Sequence, residues 1–396
     1  MAATGSPLIS KTDMLTPEKY STRYFPERFR LVFPAESSRA AQMLRAAPIP
    51  MPTHDMFASL QRQIAETYNK DISKVPFEQR PARPTPVMGQ VLSLAFAYGK
   101  FYVAGRQIYD VGPKMQAVLV GADYREVPVS MLMLPFSTVY LHFGPQKFTI
   151  KVAAFEGAIV SQYKGLFEIH LCTSQGPSYL NGGRFVYPAH YLYLTFDASE
   201  YPPDTPLGDV VADAVRKEKE ELAKRSKEPA EQIALDGVVV ADRRAQGAQE
   251  DLENYSIAIQ NVDDAMRLVV NALIFVTAYK EHVATSWTSD TPSEIAAVAE
   301  GSNKPKARQD ARQKLLADGY YKVNFVGSGF DFGGCGEESE ASPEAGVRPH
   351  WRRAHWRIQR YGEGRQETKM VLIRQVLVNA DKLGSDQQLP GRISTI

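Results

Sequence analysis

Positive charge and aromatic rings are interleaved near the C-terminus, between Arg348 and Asn379. This stretch holds eight Lys or Arg residues against two glutamates, although the formal net charge of the whole chain is only +1. Because arginine neutralises phosphates and aromatic rings stack on bases, the pattern is typical of a nucleic-acid-binding surface. The residues that we predict to contact nucleic acid are Arg348, Trp351, Arg352, Arg353, Trp356, Arg357 and Arg365.

The same composition fits two other roles. In the nucleic-acid interpretation, Trp351 and Trp356 stack on bases while the arginines hold the phosphate backbone. In a structural interpretation, the tryptophans are anchored in the core, where this residue is usually mostly buried, and the arginines pair with acidic neighbours. Tryptophan and arginine also dominate the centres of protein–protein interfaces. The sequence leaves these three interpretations open.

His350 and His355 raise a catalytic alternative. A metal-independent ribonuclease needs one histidine as base, a second as acid, and a cation beside the developing charge. A spacing of five residues does not place both histidines on one helix face, so this chemistry needs an irregular loop. A zinc site that adds Cys335 lacks a CxxC or HExxH motif and a fourth ligand. We therefore predict no metal and no cofactor, and favour a binding protein over an enzyme.

Composition indicates the cell compartment. The chain has only two cysteines, which fits a reducing cytoplasm and excludes a disulfide scaffold. Residues 1–10 do not have the pattern of a signal peptide. The longest apolar run, Leu268–Ala278, is interrupted by Asn271 and is too short to span a bilayer. These features predict a cytoplasmic protein without a membrane partner.

The elements that must position these residues follow from hydrophobic periodicity. Apolar and polar residues alternate over 135–200, which predicts an antiparallel sheet with one buried face, so His142 and His170 would lie on the other face. Residues 55–70 and 88–108 have helical character. The best helix lies within 252–283, and its middle is apolar nearly all round, which predicts burial between layers.

These elements predict an α+β fold, in which helices pack an antiparallel sheet and a C-terminal basic-aromatic strap with a closing strand near 370–378 returns to the body. The predicted division is 1–87 (helical or extended), 88–205 (a helix plus the sheet), 206–326 (helical), 327–346 (a flexible glycine-rich, acidic linker) and 347–396 (the basic-aromatic segment).

Two stretches carry a resemblance to a known family. PHWRRAHWR, YGEGR and VLIRQVLVN within 349–379 resemble the C-terminal signature of a family of phage, plasmid and other mobile-element proteins, and LPFSTVYLHFG at 134–144 is similar to an upstream strand of that family. Ala354 stands where the family usually has glycine, and Gln375 where it usually has proline. If that glycine needs a positive φ, Ala354 would be strained.

The resemblance implies a function. One branch of the family comprises type V-A anti-CRISPR proteins, which recognise the nascent N-terminal peptide of the CRISPR effector nuclease and cause loss of its mRNA. By this resemblance we expect a non-enzymatic anti-CRISPR or host-interaction factor whose partners are that nascent peptide and mRNA or the ribosome. The peptide would join a sheet edge or lie in a groove. The alternative is a metal-independent ribonuclease or RNA-binding protein of a mobile element.

Overall fold

The structure is a computed structural model that describes part of the chain. The described residues are 24–72, 87–150, 153–174, 178–180, 185–187, 191–225, 231–235, 238–243, 256, 259, 261–332, 350–352, 354–373 and 376–378. The helices among them are α1 (Phe25–Val32), α2 (Pro34–Ala46), α3 (His54–Ile72), α4 (Val87–Val103), α5 (Pro113–Gly121), α6 (Leu207–Arg225), α7 (Val262–Ala278), α8 (Ser293–Gly301) and α9 (Pro305–Ala317).

The strands follow in chain order. They are β1 (Gln107–Val111), β2 (Ala122–Asp123), β3 (Thr138–His142), β4 (Thr149–Ile150), β5 (Ala153–Tyr163), β6 (Leu166–Thr173), β7 (Ser178–Leu180), β8 (Phe185–Tyr187), β9 (Tyr191–Asp197), β10 (Glu231–Leu235), β11 (Val238–Arg243), β12 (Val283–Trp287), β13 (Lys322–Val326), β14 (His350–Arg352), β15 (Ala354–Tyr361), β16 (Glu367–Ile373) and β17 (Val376–Val378).

One large sheet organises the fold. Its strand order is β12-β13-β1-β3-β5-β6-β9, and β4 pairs with β5. Strands β3, β5, β6 and β9 form the antiparallel part that the alternation over 135–200 predicts. Strand β1 is parallel to both of its neighbours, so the sheet is mixed. The α+β prediction is confirmed, whereas β1 and β12 are additions that the sequence pattern did not reveal.

Both faces of this sheet are covered, so the prediction of one buried face is wrong. Helices α1, α2 and α4 pack on one face, and α5 and α7 pack on the other. His142 and His170 lie on the face under the N-terminal helices and are 6% and 5% exposed. The Tyr140 hydroxyl lies 3.3 Å from His142 Nδ1 and the Ser93 hydroxyl 3.2 Å from His170 Nε2, and these hydrogen bonds lower the cost of burial.

A buried polar layer fastens α1 to the sheet. The Tyr24 hydroxyl, just before the helix, donates to Asp110 Oδ2 at 2.9 Å. Arg28 forms an ion pair with Glu156, and the Tyr140 hydroxyl donates to the same carboxylate at 3.3 Å. Burial raises the pKa of Glu156, and the guanidinium of Arg28 opposes that rise. Removing one partner of such a pair would leave a buried charge uncompensated, so these contacts fix where α1 sits.

Helix α7 is the central element of the second layer. Every residue from Leu268 to Val276 is buried, which confirms the predicted burial between layers. One side of α7 faces the large sheet, and the other side carries a three-stranded sheet of order β16-β15-β2. The C-terminal segment therefore packs against the body through this helix.

Element boundaries differ from the sequence predictions at two places. The helix predicted over 88–108 ends at Val103, because Gly105 and Arg106 adopt φ of 86° and 57° and turn the chain into β1. The helix predicted within 252–283 spans only Val262–Ala278, and Val283 already belongs to β12. Most of the predicted 327–346 linker lies outside the described residues, and the five-part division remains a prediction.

Candidate functional site

The basic-aromatic segment folds as a long antiparallel hairpin. Strand β15 pairs with β16, and β14 pairs with β17, in one register on both sides of Arg353: Arg352 faces Val376 and His355 faces Ile373. Ala354 and His355 also pair in parallel with β2. The predicted strap and its closing strand are thus the two halves of one hairpin.

The base of the hairpin belongs to the core. Ala354, Trp356, Met370 and Leu372 are buried in the same apolar cluster as α7. They occupy alternate positions of paired strands, so one face of the ribbon lies on the helix. The hairpin is therefore held in a defined position on the body.

Asn271 fixes this contact. The Trp356 indole Nε1–H donates to Asn271 Oδ1 at 2.7 Å. The Asn271 amide nitrogen donates to the carbonyls of Leu119 at 2.8 Å and Ala122 at 3.0 Å. Asn271, the one polar residue between Leu268 and Val276, thus joins α5, β2 and the hairpin, because its amide can both donate and accept.

Trp356 has a structural role. It is 8% exposed, its ring packs in the core, and its N–H is bound to Asn271. A base cannot reach the face of a ring that is covered in this way, so the stacking role predicted for Trp356 does not fit the structure. The structural interpretation left open by the sequence applies to this residue.

Ala354 is not strained. It lies in extended backbone within β15 and pairs with Ala122, and it is absent from the residues with positive φ. Positive φ values occur instead in the turn, at Gly362 (80°), Gly364 (65°) and Arg365 (55°). The turn supplies the left-handed positions, so alanine at 354 costs no backbone strain.

The outer part of the hairpin, Arg357–Lys369, stands in solvent on both faces, and we refer to it as the hairpin arm. Every residue of the arm is exposed, including Ile358 and Tyr361 at 42% each. A two-stranded ribbon without a packed face gains little stability from burial.

The arm carries positive charge that the described part of the chain does not neutralise. Arg357, Arg360 and Arg365 form no ion pair with any described carboxylate. Lys369 Nζ lies over the Tyr361 ring, 5.3 Å from its centroid. Glu367 accepts a hydrogen bond from the Tyr361 hydroxyl and raises the pKa of that phenol. The arm therefore offers guanidinium groups that no described carboxylate pairs with, and one exposed aromatic ring.

The remaining predicted site residues are placed as follows. Arg357 and Arg365 lie on the arm, where their guanidinium groups reach solvent. Trp351 and Arg352 lie on β14, with their backbone opposite Leu377 and Val376. Arg348 and Arg353 lie outside the described residues. Arg360 and Lys369 join the arm although neither was selected from the sequence, and their position in the same charged run was the available signal.

The two histidines are far apart for acid–base catalysis. His350 lies on β14 opposite Val378, and His355 lies on β15 opposite Ile373. Because five residues of extended strand span about 16 Å, this register does not bring the two histidines together. A base and an acid that act on one phosphodiester must both reach it within hydrogen-bonding distance. This geometry does not support the ribonuclease alternative.

A surface pocket lies beside the hairpin base. It has a volume of about 360 Å³ and is lined by Asp123, Arg125, Glu126, Pro206, Gly208 and Asp209. Arg125 donates to both carboxylate oxygens of Asp123 and lowers its pKa.

Across the described ranges, no cluster of His, Cys, Asp and Glu could hold a metal ion. None of the described helices has the length and apolar character needed to cross a membrane.

Comparison with known proteins gives the family. A model described as "AcrVA2-like: Anti-CRISPR type V subtype A2 family" matches residues 109–380, more than two thirds of the 396-residue chain. The chain belongs to the AcrVA2-like family of type V anti-CRISPR proteins. The match spans the large sheet from β1 onward, α7 and the hairpin, and it includes both stretches on which the resemblance rests.

Comparison with solved and curated proteins adds less. The chain is similar to a crystal structure of AcrVA2, with 13% sequence identity over 89% of this chain and 97% of that chain. The TM-score of that superposition is 0.32, which is too low to carry an argument about the fold. No curated protein matches the chain. The assignment to the AcrVA2-like family therefore depends on the match over 109–380.

Proposed function

We propose that this AcrVA2-like protein binds the N-terminal peptide of a type V-A effector nuclease as the peptide emerges from the ribosome, and thereby causes loss of the effector mRNA. The observation that carries the proposal is the family match over residues 109–380. An anti-CRISPR role follows from the family, whereas the nascent peptide and the mRNA are the specific content of the proposal. Action during translation would place the protein in the cytoplasm.

The hairpin arm supports a contact with RNA in this function. Arg357, Arg360 and Arg365 are exposed and unpaired with described carboxylates, and the arm has no packed face that would explain their presence. Arginine binds phosphate oxygens through two parallel N–H donors. We propose that the arm touches mRNA or ribosomal RNA while another surface holds the peptide. Arg348, Arg352 and Arg353 would extend this contact toward the body.

The proposed activity is binding, not RNA cleavage. His350 and His355 lie on β14 and β15, and five residues of extended chain span about 16 Å, which is too far for one acid–base pair. Loss of mRNA would then depend on host factors that act on the complex of this protein with the translating ribosome. Cleavage of RNA by the pure protein in the presence of EDTA, abolished by His355→Ala, would contradict this part of the proposal.

A test in cells separates the peptide from the RNA that encodes it. The protein is co-expressed with one of three versions of a type V-A effector gene. The first codons are native in one version and synonymously recoded in the second. In the third they are read in a shifted frame, and the native reading frame is restored after them. We expect effector mRNA to fall for the native and recoded genes, because both encode the same peptide, and to persist for the frameshifted gene. Effector mRNA levels by quantitative PCR are the measurement.

The contrary outcomes are distinct. Loss of the frameshifted transcript as well would show that the peptide is not what is recognised. Persistence of the recoded transcript would show that the nucleotide sequence, and not the peptide, is read. An unrelated reporter under the same promoter controls for general effects on transcription.

A further inference from the structure

Strand β12 lies at an edge of the large sheet that is open among the described residues. It is the outermost strand of the order β12-β13-β1-β3-β5-β6-β9, and among the described residues it pairs only with β13. Its three central residues, Ala284, Thr285 and Ser286, are exposed. An edge strand presents unpaired backbone N–H and C=O groups, so β12 can accept a further strand.

The register shows which backbone groups face outward. In the β12–β13 pair, Val283 lies opposite Val326 and Thr285 opposite Asn324. One position before the pair begins, the Gly327 N–H donates to the His282 carbonyl at 2.9 Å. In an antiparallel ladder the hydrogen-bonded pairs alternate with pairs that do not exchange hydrogen bonds.

Ala284 and Ser286 lie two and four residues after His282, so their backbone groups also point toward β13. Val283, Thr285 and Trp287 then point theirs away from the sheet. The outward groups are therefore the N–H and C=O of alternate residues, with the spacing that an added strand requires.

This edge lacks the usual protection. Exposed edges commonly carry lysine, proline or a β-bulge that prevents another strand from pairing. Strand β12 reads VATSW and pairs with β13 without a register shift. Its exposed side chains are small, so a neighbouring strand could bring large side chains alongside them.

The edge is also held rigidly. The Thr285 hydroxyl donates to Asn324 Oδ1 at 2.6 Å, and the Asn324 amide donates to the Ile108 carbonyl at 3.1 Å in β1. At the end of the strand, the Trp287 indole N–H donates to Glu300 Oε1 at 3.0 Å. A rigid edge loses little conformational entropy when a ligand binds, which favours binding.

We propose that β12 is the docking strand for the effector's N-terminal peptide, which joins the sheet as an additional strand. This inference rests on the proposed function and names the site. Five residues of strand span about 17 Å, which suits a short extended segment. A second copy of the chain paired through so short an edge would bury far less than the roughly 1,200 Å² that specific protein interfaces need.

Hydrogen exchange at single amides tests the inference directly. Synthetic N-terminal peptides of type V-A effectors are first screened for binding to the full chain by calorimetry. With the binding peptide at saturation, we expect the Thr285 and Trp287 amides to exchange more slowly. The Ala284 and Ser286 amides already face β13, so their exchange rates should stay the same.

A matched pair of variants tests the same edge by affinity. Thr285→Pro removes an outward N–H and obstructs an added strand, whereas it spares the backbone hydrogen bonds to β13. We expect it to weaken peptide binding by about tenfold or more, which corresponds to about 1.4 kcal/mol. Thr285→Ala loses the same hydroxyl bond to Asn324 but keeps the amide, so it should bind the peptide more tightly than Thr285→Pro.

The outcomes separate this site from the proposed function. If a peptide binds but leaves the Thr285 and Trp287 amides unchanged, or binds Thr285→Pro equally well, β12 is not the site and the proposed function stands. If these amides are already protected in the free protein, the chain itself covers the edge and the inference is overturned. If no peptide binds, the inference and the proposed function fail together.

Discussion

Asn271 shows how one residue decides where the hairpin sits. Asn271→Leu takes this partner from the Trp356 N–H and the Ala122 carbonyl, whereas the Leu119 carbonyl still accepts from the Ala122 N–H. Since each buried unsatisfied group costs about 1–3 kcal/mol and two groups are affected, we expect the free energy of unfolding to fall by about 2–6 kcal/mol. Urea denaturation followed by tryptophan fluorescence measures this change.

A control on the same ribbon defines the baseline. Ile358 occupies the same face as Trp356 but is 42% exposed. Ile358→Ala should change the free energy of unfolding by no more than about 0.5 kcal/mol. Equal losses in the two variants would mean that the Asn271 contacts do not hold the hairpin.

His170 makes stability depend on pH. Burial, and next the nearby Lys100, lower its pKa from 6.5 to about 3. Below pH 6.5 the unfolded chain therefore binds a proton that the folded chain does not, so the unfolding free energy falls as the pH falls. From pH 6.5 down to 5 this group accounts for a loss of about 2 kcal/mol, and above pH 6.5 it has no effect.

The variant His170→Gln isolates that contribution. Glutamine keeps a polar group within reach of Ser93, whose hydroxyl lies 3.2 Å from His170 Nε2, but it does not titrate. The difference in unfolding free energy between pH 7 and pH 5 should therefore shrink by about 2 kcal/mol in the variant. An unchanged difference would assign the pH dependence to the other buried groups.

At the residue scale, the sequence predicted which residues share a face of the sheet but not what packs against that face. Alternation placed His142 and His170 on the face opposite the apolar residues, which is correct, but that face is covered by α1, α2 and α4. Periodicity reports which residues share a face, and it does not report what lies on the face. Trp356 is similar, because its burial depends on Asn271, which lies 85 positions away in the chain.

At the scale of elements, the hairpin arm can be shortened to test RNA binding with little change in the stability of the fold. Replacing Arg360–Thr368 by an Asn-Gly turn between Gln359 and Lys369 removes only exposed residues. We expect the free energy of unfolding to change by less than about 1 kcal/mol. Affinity for a single-stranded RNA should fall, and its logarithmic salt dependence should flatten by about 1.4, because two arginines that bind phosphates are lost and the two glutamates lost with them release no counterions.

A charge variant of the full-length arm is the matched control. Glu363→Gln with Glu367→Gln removes the two acidic groups of the arm and leaves its arginines in place. RNA affinity should then rise, because repulsion of the phosphates is removed. If neither variant changes RNA affinity while both remain folded, the arm does not bind RNA.

Element prediction succeeded where the pattern is long and failed where it is short. The sheet over 135–200 and helix α7 have repeated periodicity, and both were found. Strands β1 and β12 have five residues each, and β1 includes Asp110, whose buried carboxylate accepts from Tyr24. Such strands are defined by partners that are distant in sequence, which local pattern cannot show.

At the scale of the whole molecule, helix α7 connects the two proposed interfaces. Helix α7 contacts the large sheet on one side and the sheet that carries the hairpin on the other. The open edge at β12 follows α7 closely in the chain, with Lys280–His282 between them. A peptide at β12 and RNA at the hairpin arm would therefore be held by the same buried helix.

The central claim is that this chain recognises the N-terminal peptide of a type V-A effector nuclease. Isothermal titration of the purified chain with a panel of such peptides, alongside scrambled versions of the same composition, tests it most directly. We predict micromolar or tighter binding to at least one native peptide and none to its scrambled form. Absence of binding across the panel, or equal binding of native and scrambled peptides, would contradict the claim.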